Sequence, residues 1–310
     1  MAAQKLNEAG KPSKQVEEVS NWWRKIATTS AQLSSLDEIR DFGENWAGLT
    51  AEPGGVDYIE TYADGIEAMW IVPHGCNESR VLLCFHGGGF FTGSMYTHRK
   101  LFAHFAKQVG CRALNVNFRR SPEHVHPAQV NDALTAYKWV LDQGIKPQHV
   151  ALLGDSAGGG LSITTLLLAC EKGLPMPAAA MPVSAWFDME AMGESMVTND
   201  GKDHLFTKEW VKNIAGMVLG QHVDSRDPYI NPLYADLKGL PPIYFQVGDQ
   251  ELLLDDSTRL AALAKKAGVE VKLDIFPNMQ HTWHMTAGRA PEANDAIARY
   301  STWVKPKLGL

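Results

Sequence analysis

Two glycine-rich stretches in this 310-residue sequence carry the residue types that acyl transfer needs. The first is Gly154-Asp155-Ser156-Ala157-Gly158, a G-x-S-x-G pattern. A serine hydroxyl becomes an accessible nucleophile on a sharp strand-to-helix turn, and that turn tolerates only small residues two positions either side. Residues 150–153 are an apolar run that enters the pattern as a strand, and 159–170 leave it as a helix. The N-terminus of that helix favours negative charge forming beside Ser156. The second stretch is His86-Gly87-Gly88-Gly89, directly after the apolar run 81–85. Backbone N–H groups free of Cβ bulk can be aimed at the oxyanion of a tetrahedral intermediate. Alone, three glycines read more readily as a flexible loop; paired with the serine turn they become a second signal. A general base must complete the set, and the chain holds 11 histidines from which to draw it.

Positioning such groups requires a rigid frame, and the apolar patterning supplies one. Residues 14–46 read as two helices, with apolar positions including Val16, Val19, Trp22, Trp23 and Ile26, then Leu33, Leu36, Ile39 and Phe42. Strand runs follow at 56–62 and 66–72, separated by the hairpin signal Asp64-Gly65. Further runs lie at 81–85, 113–118, 150–153, 178–183, 243–247 and 269–276, with helical periods between them. Val130, Leu134, Tyr137 and Leu141 share one helical face before Gly144, and Leu260, Leu263 and Ala267 another before Gly268. Short apolar strands alternating with helices predict a mostly parallel sheet covered on both faces. The stretch 187–229 interrupts the alternation and is too long for a plain connection, so an inserted cap is expected there.

With these pieces placed, the sequence resembles the hormone-sensitive-lipase-like branch of the α/β-hydrolases, a family of bacterial and eukaryotic carboxylesterases. The resemblance rests on the His86–Gly89 run, the segment Phe118-Arg119-Arg120-Ser121-Pro122-Glu123-His124-Val125-His126-Pro127-Ala128, and the Gly154–Gly159 turn. Asn231-Pro232-Leu233 through Gly239-Leu240-Pro241-Pro242, and a late acid and histidine, complete it over roughly residues 55–305. It implies an α/β-hydrolase core at 49–186 and 231–310, an N-terminal helical cap at 1–48 and an inserted cap at 187–230. It also implies Ser156 as nucleophile and the N–H groups of Gly88, Gly89 and Ala157 as oxyanion donors, with no cofactor. His281 occupies the family's histidine position, although Gln280 and Thr282 stand where glycines are usual. His284 is its neighbouring rival. The acid aligns with Glu251; Asp249 competes for the role, and Asp255 is read instead as a helix cap beside Asp256. Phe90, Phe91 and Trp186 are candidates for the acyl pocket, although core packing explains them equally well. Arg119 and Glu123 are read as loop braces, and His124 and His126 as structural.

Composition narrows the class of partner. The formal net charge is -6 with both signs interspersed, which disfavours a polyanionic partner such as nucleic acid. No apolar run approaches the length of a membrane span, and the polar N-terminus lacks a secretory h-region, so a cytoplasmic enzyme is expected. The four cysteines show no metal-ligand spacing and are expected to be buried free thiols. No third ligand accompanies His281 and His284, so no metal is expected. The resemblance implies a small carboxylic ester as substrate, roughly C2 to C8 in its acyl part. A lactone hydrolase and a non-catalytic receptor on the same fold are the rivals. The unprotected last strand at the sheet edge suggests a homodimer.

Overall fold

A computed structural model describes residues 11–30, 32–221 and 223–310. The apolar runs assemble into one eight-stranded sheet, comprising β1 (Val56–Ala63), β2 (Ile66–Pro73), β3 (Asn77–Phe85), β4 (Cys111–Val116), β5 (Val150–Asp155), β6 (Ala179–Val183), β7 (Ile243–Gly248) and β8 (Val271–Phe276). Their spatial order is β1-β2-β4-β3-β5-β6-β7-β8. β1 and β2 form a hairpin, and β2 meets β4 antiparallel; all pairs from β4 through β3 to β8 are parallel. The turn between β1 and β2 has φ of 51° at Asp64 and 86° at Gly65, the positive pair that a tight two-residue hairpin requires. Every residue of β5, β6 and β7 is buried, as expected for parallel strands covered on both faces.

Helices α3 (Met95–Val109), α4 (Ala128–Asp142), α5 (Ala157–Glu171), α8 (Leu254–Lys266) and α9 (Pro291–Leu308) cover the sheet. One core layer packs α4, α5 and α8 against it through Val130, Tyr137, Leu161, Leu166 and Leu260. The opposite layer uses α3 and α9, through Leu101, Phe105, Ile297 and Tyr300. The sequence patterning singled out neither α3 nor α9. α3 begins at a capping box in which Ser94 and Thr97 exchange hydrogen bonds.

Two further groups of elements sit at the carboxyl ends of the parallel strands. α1 (Glu17–Ser30) buries Val19, Trp23 and Ile26, and α2 (Leu36–Gly43) starts at a Ser35–Glu38 capping box. The interrupting stretch carries α6 (Ser195–Thr198) and α7 (Lys208–Leu219), the latter capped by Thr207 and burying Val211, Ile214 and Val218. All four cysteines are free. Cys84 and Cys111 are buried, but Cys170 is exposed at the end of α5 and Cys76 is half-buried, so the expectation of four buried thiols is corrected at those two positions. No helix among the described residues is long and apolar enough to cross a membrane.

Candidate active site

β5 delivers Ser156 to the carboxyl edge of the sheet in a conformation of φ 52° and ψ −121°, strained for any residue with a Cβ. Neighbouring groups hold it there. Ser156 N–H donates to Val183 O at 2.9 Å, and its carbonyl accepts from Gly160 and Trp186 at 3.1 and 3.0 Å. A Cβ at Gly154 would lie 2.1 Å from Gly158 O, and one at Gly158 would lie 1.9 Å from Phe85 O. Any larger residue at either position would break the turn.

The loop after β3 passes alongside. Gly88 (φ 111°) and Gly89 (φ 60°) both need the glycine-favoured region. The Gly88 carbonyl accepts from Phe91 N (3.1 Å), Thr92 N (2.8 Å) and Thr92 Oγ1 (3.0 Å), which closes the loop into a rigid turn. Among the described residues, the N–H groups of Gly88, Gly89 and Ala157 take no protein acceptor. Asp155 links this loop to the serine turn: its Oδ1 accepts from Gly87 N–H at 3.1 Å, and its Oδ2 lies 3.2 Å from His98 Nε2. Burial alone would raise the Asp155 carboxyl. The charge and hydrogen bond of His98, with His281 and His86 farther off, outweigh it and hold the carboxyl below its ordinary value.

The loops after β7 and β8 bring Glu251 and His281 together. His281 Nδ1 lies 2.8 Å from Glu251 Oε2, and both residues are buried. The other carboxylate oxygen, Oε1, accepts from Ser184 Oγ (2.7 Å) and Gly248 N–H (2.6 Å). Trp23 of α1 donates its indole N–H to the His281 carbonyl at 2.7 Å, and the Phe206 ring stands edge-on to the imidazole with centroids 4.9 Å apart.

The rival carboxylates are engaged elsewhere. Asp249 Oδ1 accepts from Asn278 N–H and Gln250 Nε2, both at 2.7 Å. Asp255 is not the helix cap: Leu253 holds that position, and the Asp255 carboxylate accepts from Ser195 N–H at 2.8 Å, tying down the inserted segment. Asp256 does sit in the first turn of α8, but it is fully buried and accepts from Phe187 and Asp188 N–H at 2.7 and 2.8 Å. His284 is buried 2.8 Å from Gln246 Oε1, and burial drives its imidazole down to about 3. Glu123 pairs with Arg40 of α2, Arg119 with Asp132, and the His126 ring with Asp227.

Ser156 and His281 open into one cavity. Trp23, Ile26, Ile39, Phe42 and Trp46 wall it from the N-terminal helices. Gly88, Gly89 and Phe91 line it from the glycine loop, and Leu205, Phe206, Trp210 and Ile214 from the inserted segment. A smaller chamber touches Ser156 and Gly89 and is lined by Trp186, Phe206, Val211, Ile214 and Leu253. Phe90, a sequence candidate for the pocket, lines neither chamber; it is 1% exposed and packs on Phe118 and Trp186. Sequence reasoning missed Ser184, which no motif marks, and the Asp155–His98 pair, which spans a helix that the patterning did not reveal.

Comparison with known proteins bears on the fold and the family. A family described as having the alpha/beta hydrolase fold matches residues 82–285. An acetyl-hydrolase of Streptomyces hygroscopicus is 37% identical over 289 residues, 93% of this chain and 94% of that protein. An esterase of Acinetobacter venetianus is 33% identical across 72% of this chain and 73% of its own length. Among solved structures, an esterase from the bacterial hormone-sensitive lipase family superposes with a TM-score of 0.93 at 39% identity, covering 96% of this chain and all of that one. EstE5, in a crystal soaked with p-nitrophenyl butyrate, superposes with a TM-score of 0.90 at 36% identity, covering 96% of this chain and all of that one.

Proposed function

The chain belongs to the α/β-hydrolase family, in its bacterial hormone-sensitive-lipase-like branch of carboxylesterases, and from that membership we propose a serine mechanism run by Ser156, His281 and Glu251. Ser156 Oγ attacks the ester carbonyl as His281 takes its proton. The oxyanion is received by the N–H groups of Gly88, Gly89 and Ala157, which take no acceptor among the described residues. His281 then protonates the leaving alcohol, water attacks the acyl-enzyme by the same route, and the acid is released. Glu251 holds the imidazole tautomer throughout. The observation that carries this reading is the buried Glu251–His281 contact at 2.8 Å, opening on the cavity that holds the strained Ser156.

The walls suggest the substrate. Apart from the reacting groups and the Asp155–His98 pair, the main cavity is walled mostly by aromatic and aliphatic side chains, which suits an uncharged ester. The narrow, apolar chamber beside Ser156, lined by Trp186, Val211, Ile214 and Leu253, suits a short acyl chain, up to about C8. An acetyl-hydrolase relative and a neighbour soaked with a butyrate ester point the same way. The described residues 11–30, 32–48, 187–221 and 223–230 are proposed to cap the site; residues 1–10, 31 and 222 of the expected cap segments 1–48 and 187–230 lie outside the described residues. The last strand lies at the sheet edge and is proposed to pair with a second copy of the chain.

The test is Ser156→Ala with fluorophosphonate labelling. The variant should lose about 10⁴ to 10⁶ in kcat with its fold intact, and label should attach only to wild-type Ser156. Activity within tenfold of wild type would remove Ser156 from the mechanism.

A further inference from the structure

The stretch 195–206 reaches past the cavity to both loops that carry the proposed acid and base, and its buried carboxylate has no role in the scheme above. Asp203 is 7% exposed. Its Oδ1 accepts from the N–H groups of Leu205 (2.8 Å) and Phe206 (3.0 Å), and its Oδ2 accepts from Leu252 N–H (2.8 Å). Leu252 is the residue after Glu251, and Phe206 is the ring set edge-on to His281. Asn199, one turn earlier, donates to the carbonyls of Asp249 (2.9 Å) and Glu251 (2.8 Å). On the other loop, Gln280 accepts from His204 N–H (2.9 Å) and donates to Lys202 O (2.8 Å). Backbone groups on both sides of Asp203 therefore fix the neighbour of His281, while Asp203 itself fixes the neighbour of Glu251.

We propose that Asp203 is a positioning residue for ester cleavage: it holds the Glu251 loop at Leu252 and the Phe206 ring against His281, while its charge favours the imidazolium that forms as Ser156 attacks. The proposal rests on the roles assigned above to Ser156, His281 and Glu251. No ion pair engages Asp203 among the described residues, and three amide hydrogen bonds hold its carboxylate. The charged and titratable groups around it are His281 and Glu251 from the hydrolase loops, Lys202 and His204 beside it in the chain, and Arg24 of α1, which contacts His204 at 2.8 Å. Burial raises the Asp203 carboxyl above its ordinary value, and charge on His281 opposes that rise. By reciprocity, a negative Asp203 stabilises a protonated His281. Glu251 acts on the imidazole directly through Nδ1; Asp203 adds a field of the same sign and keeps the two loops in register.

The decisive variant is Asp203→Asn. It preserves size but replaces one acceptor oxygen with an NH₂ group, so at least one of the held N–H groups meets a donor. Active sites are counted by stoichiometric phosphonate reaction at Ser156, and kcat, KM and the pH profile of kcat/KM are measured with a butyrate ester. The expected result is full titration, kcat per site lower by about 10- to 100-fold with KM nearly unchanged, and an acid limb displaced to lower pH because the imidazolium has lost support. A residue that merely held the fold would reduce the number of titratable sites and leave the acid limb in place. Asn199→Ala removes the neighbouring hydrogen bonds and leaves the Asp203 charge, so it should lower kcat about tenfold with the limb unmoved. Asp203→Asn with kcat per site within twofold of wild type and an unshifted limb overturns the proposal. Should Asp203→Asn fail to fold, Asn199→Ala with wild-type kcat overturns it. Failure of the serine reading is distinct: it would show as ester cleavage by Ser156→Ala, or as phosphonate that does not attach at Ser156 in the wild type.

Discussion

Replacing Glu251 by glutamine tests the acid assignment, because the surrounding hydrogen bonds dictate how the amide must sit. Oε1 accepts from two donors at once, Ser184 Oγ at 2.7 Å and Gly248 N–H at 2.6 Å. A glutamine can satisfy both only with its carbonyl oxygen at that position. Its NH₂ group must then occupy the place of Oε2, 2.8 Å from His281 Nδ1. A donor facing Nδ1 forces the imidazole proton onto Nε2, and that tautomer cannot accept the proton of Ser156. The reverse rotamer would set NH₂ against the Gly248 N–H and leave that buried donor unmade, at a cost of about 1–3 kcal/mol. Either way the variant loses the carboxylate that supports the imidazolium. The expected fall in kcat is about 10³ to 10⁴, with little change in stability, by analogy with the aspartate-to-asparagine change in serine proteases. Steady-state kinetics on a butyrate ester, normalised to phosphonate-titrated sites, measures it, with Asp249→Asn and Asp255→Asn as controls. The controls should lose less than tenfold, because their carboxylates bond to Asn278 N–H and Ser195 N–H rather than to the imidazole. A Glu251→Gln enzyme within tenfold of wild type, or a crippled Asp249→Asn, would refute the reasoning.

Three further outcomes follow from the same geometry. Asp256 is buried, one of its oxygens has no partner, and its carboxyl is raised to about 7, chiefly by burial and also by the Asp188 charge. Because the folded value is raised, its contribution to stability is full below pH 4 and is lost as pH rises through about 7, a loss of about 4 kcal/mol at most. Asp256→Asn keeps an acceptor for Phe187 and Asp188 N–H, so denaturant melts should show it stabilised increasingly from pH 5 to pH 8; an advantage independent of pH would contradict this. Val211→Ala enlarges the small chamber and should raise the octanoate-to-acetate ratio of kcat/KM by about tenfold, whereas an unchanged ratio would place the acyl chain elsewhere. Light scattering should give twice the chain mass for the wild type, and Ile275→Lys, on the exposed edge strand β8, should shift it toward the monomer. A monomeric wild type would count against the edge pairing.

What the sequence revealed about the site divides along the range of the forces involved. The turn around Ser156 was legible because its constraint is local: Gly154 and Gly158 are required by backbone atoms within a few residues or on the adjacent strand. The sheet was legible because eight apolar runs can be buried together in few ways. The identity of the acid was less so. Asp249, Glu251 and Asp255 lie within seven residues of one another, and what separates them in space is where Ser184, Asn278 and Ser195 place their donors. Those partners lie up to 67 residues away, and no pattern links them. Helices α3 and α9 went unmarked, and with α3 went His98, the partner of Asp155. The aromatic residues of α1 were visible as a helical face, but that face does two tasks: Trp23 packs on Trp46 and also holds the His281 carbonyl. Periodicity reports burial and cannot separate the two.

The proposed acid is a glutamate, one methylene longer than an aspartate at the same position. The loop after β7 turns back on itself, so that Gly248 N–H bonds to the Glu251 carboxylate three residues later. The turn-back needs glycine, since a Cβ at position 248 would lie 2.2 Å from Met279 O. That close approach is also where the two catalytic loops are joined: Asp249 N–H donates to Phe276 O at 3.0 Å, and Gln250 N–H donates to Met279 O at 3.3 Å. β7 and β8 are adjacent and parallel, so their carboxyl ends emerge side by side and these bonds extend the ladder beyond the sheet. The proposed acid and base are thus carried after neighbouring strands whose loops remain hydrogen-bonded past the last sheet pair. Their 2.8 Å contact is set by backbone register, and the side-chain partners Ser184 and Trp23 hold the residual freedom of the carboxylate and of the histidine backbone.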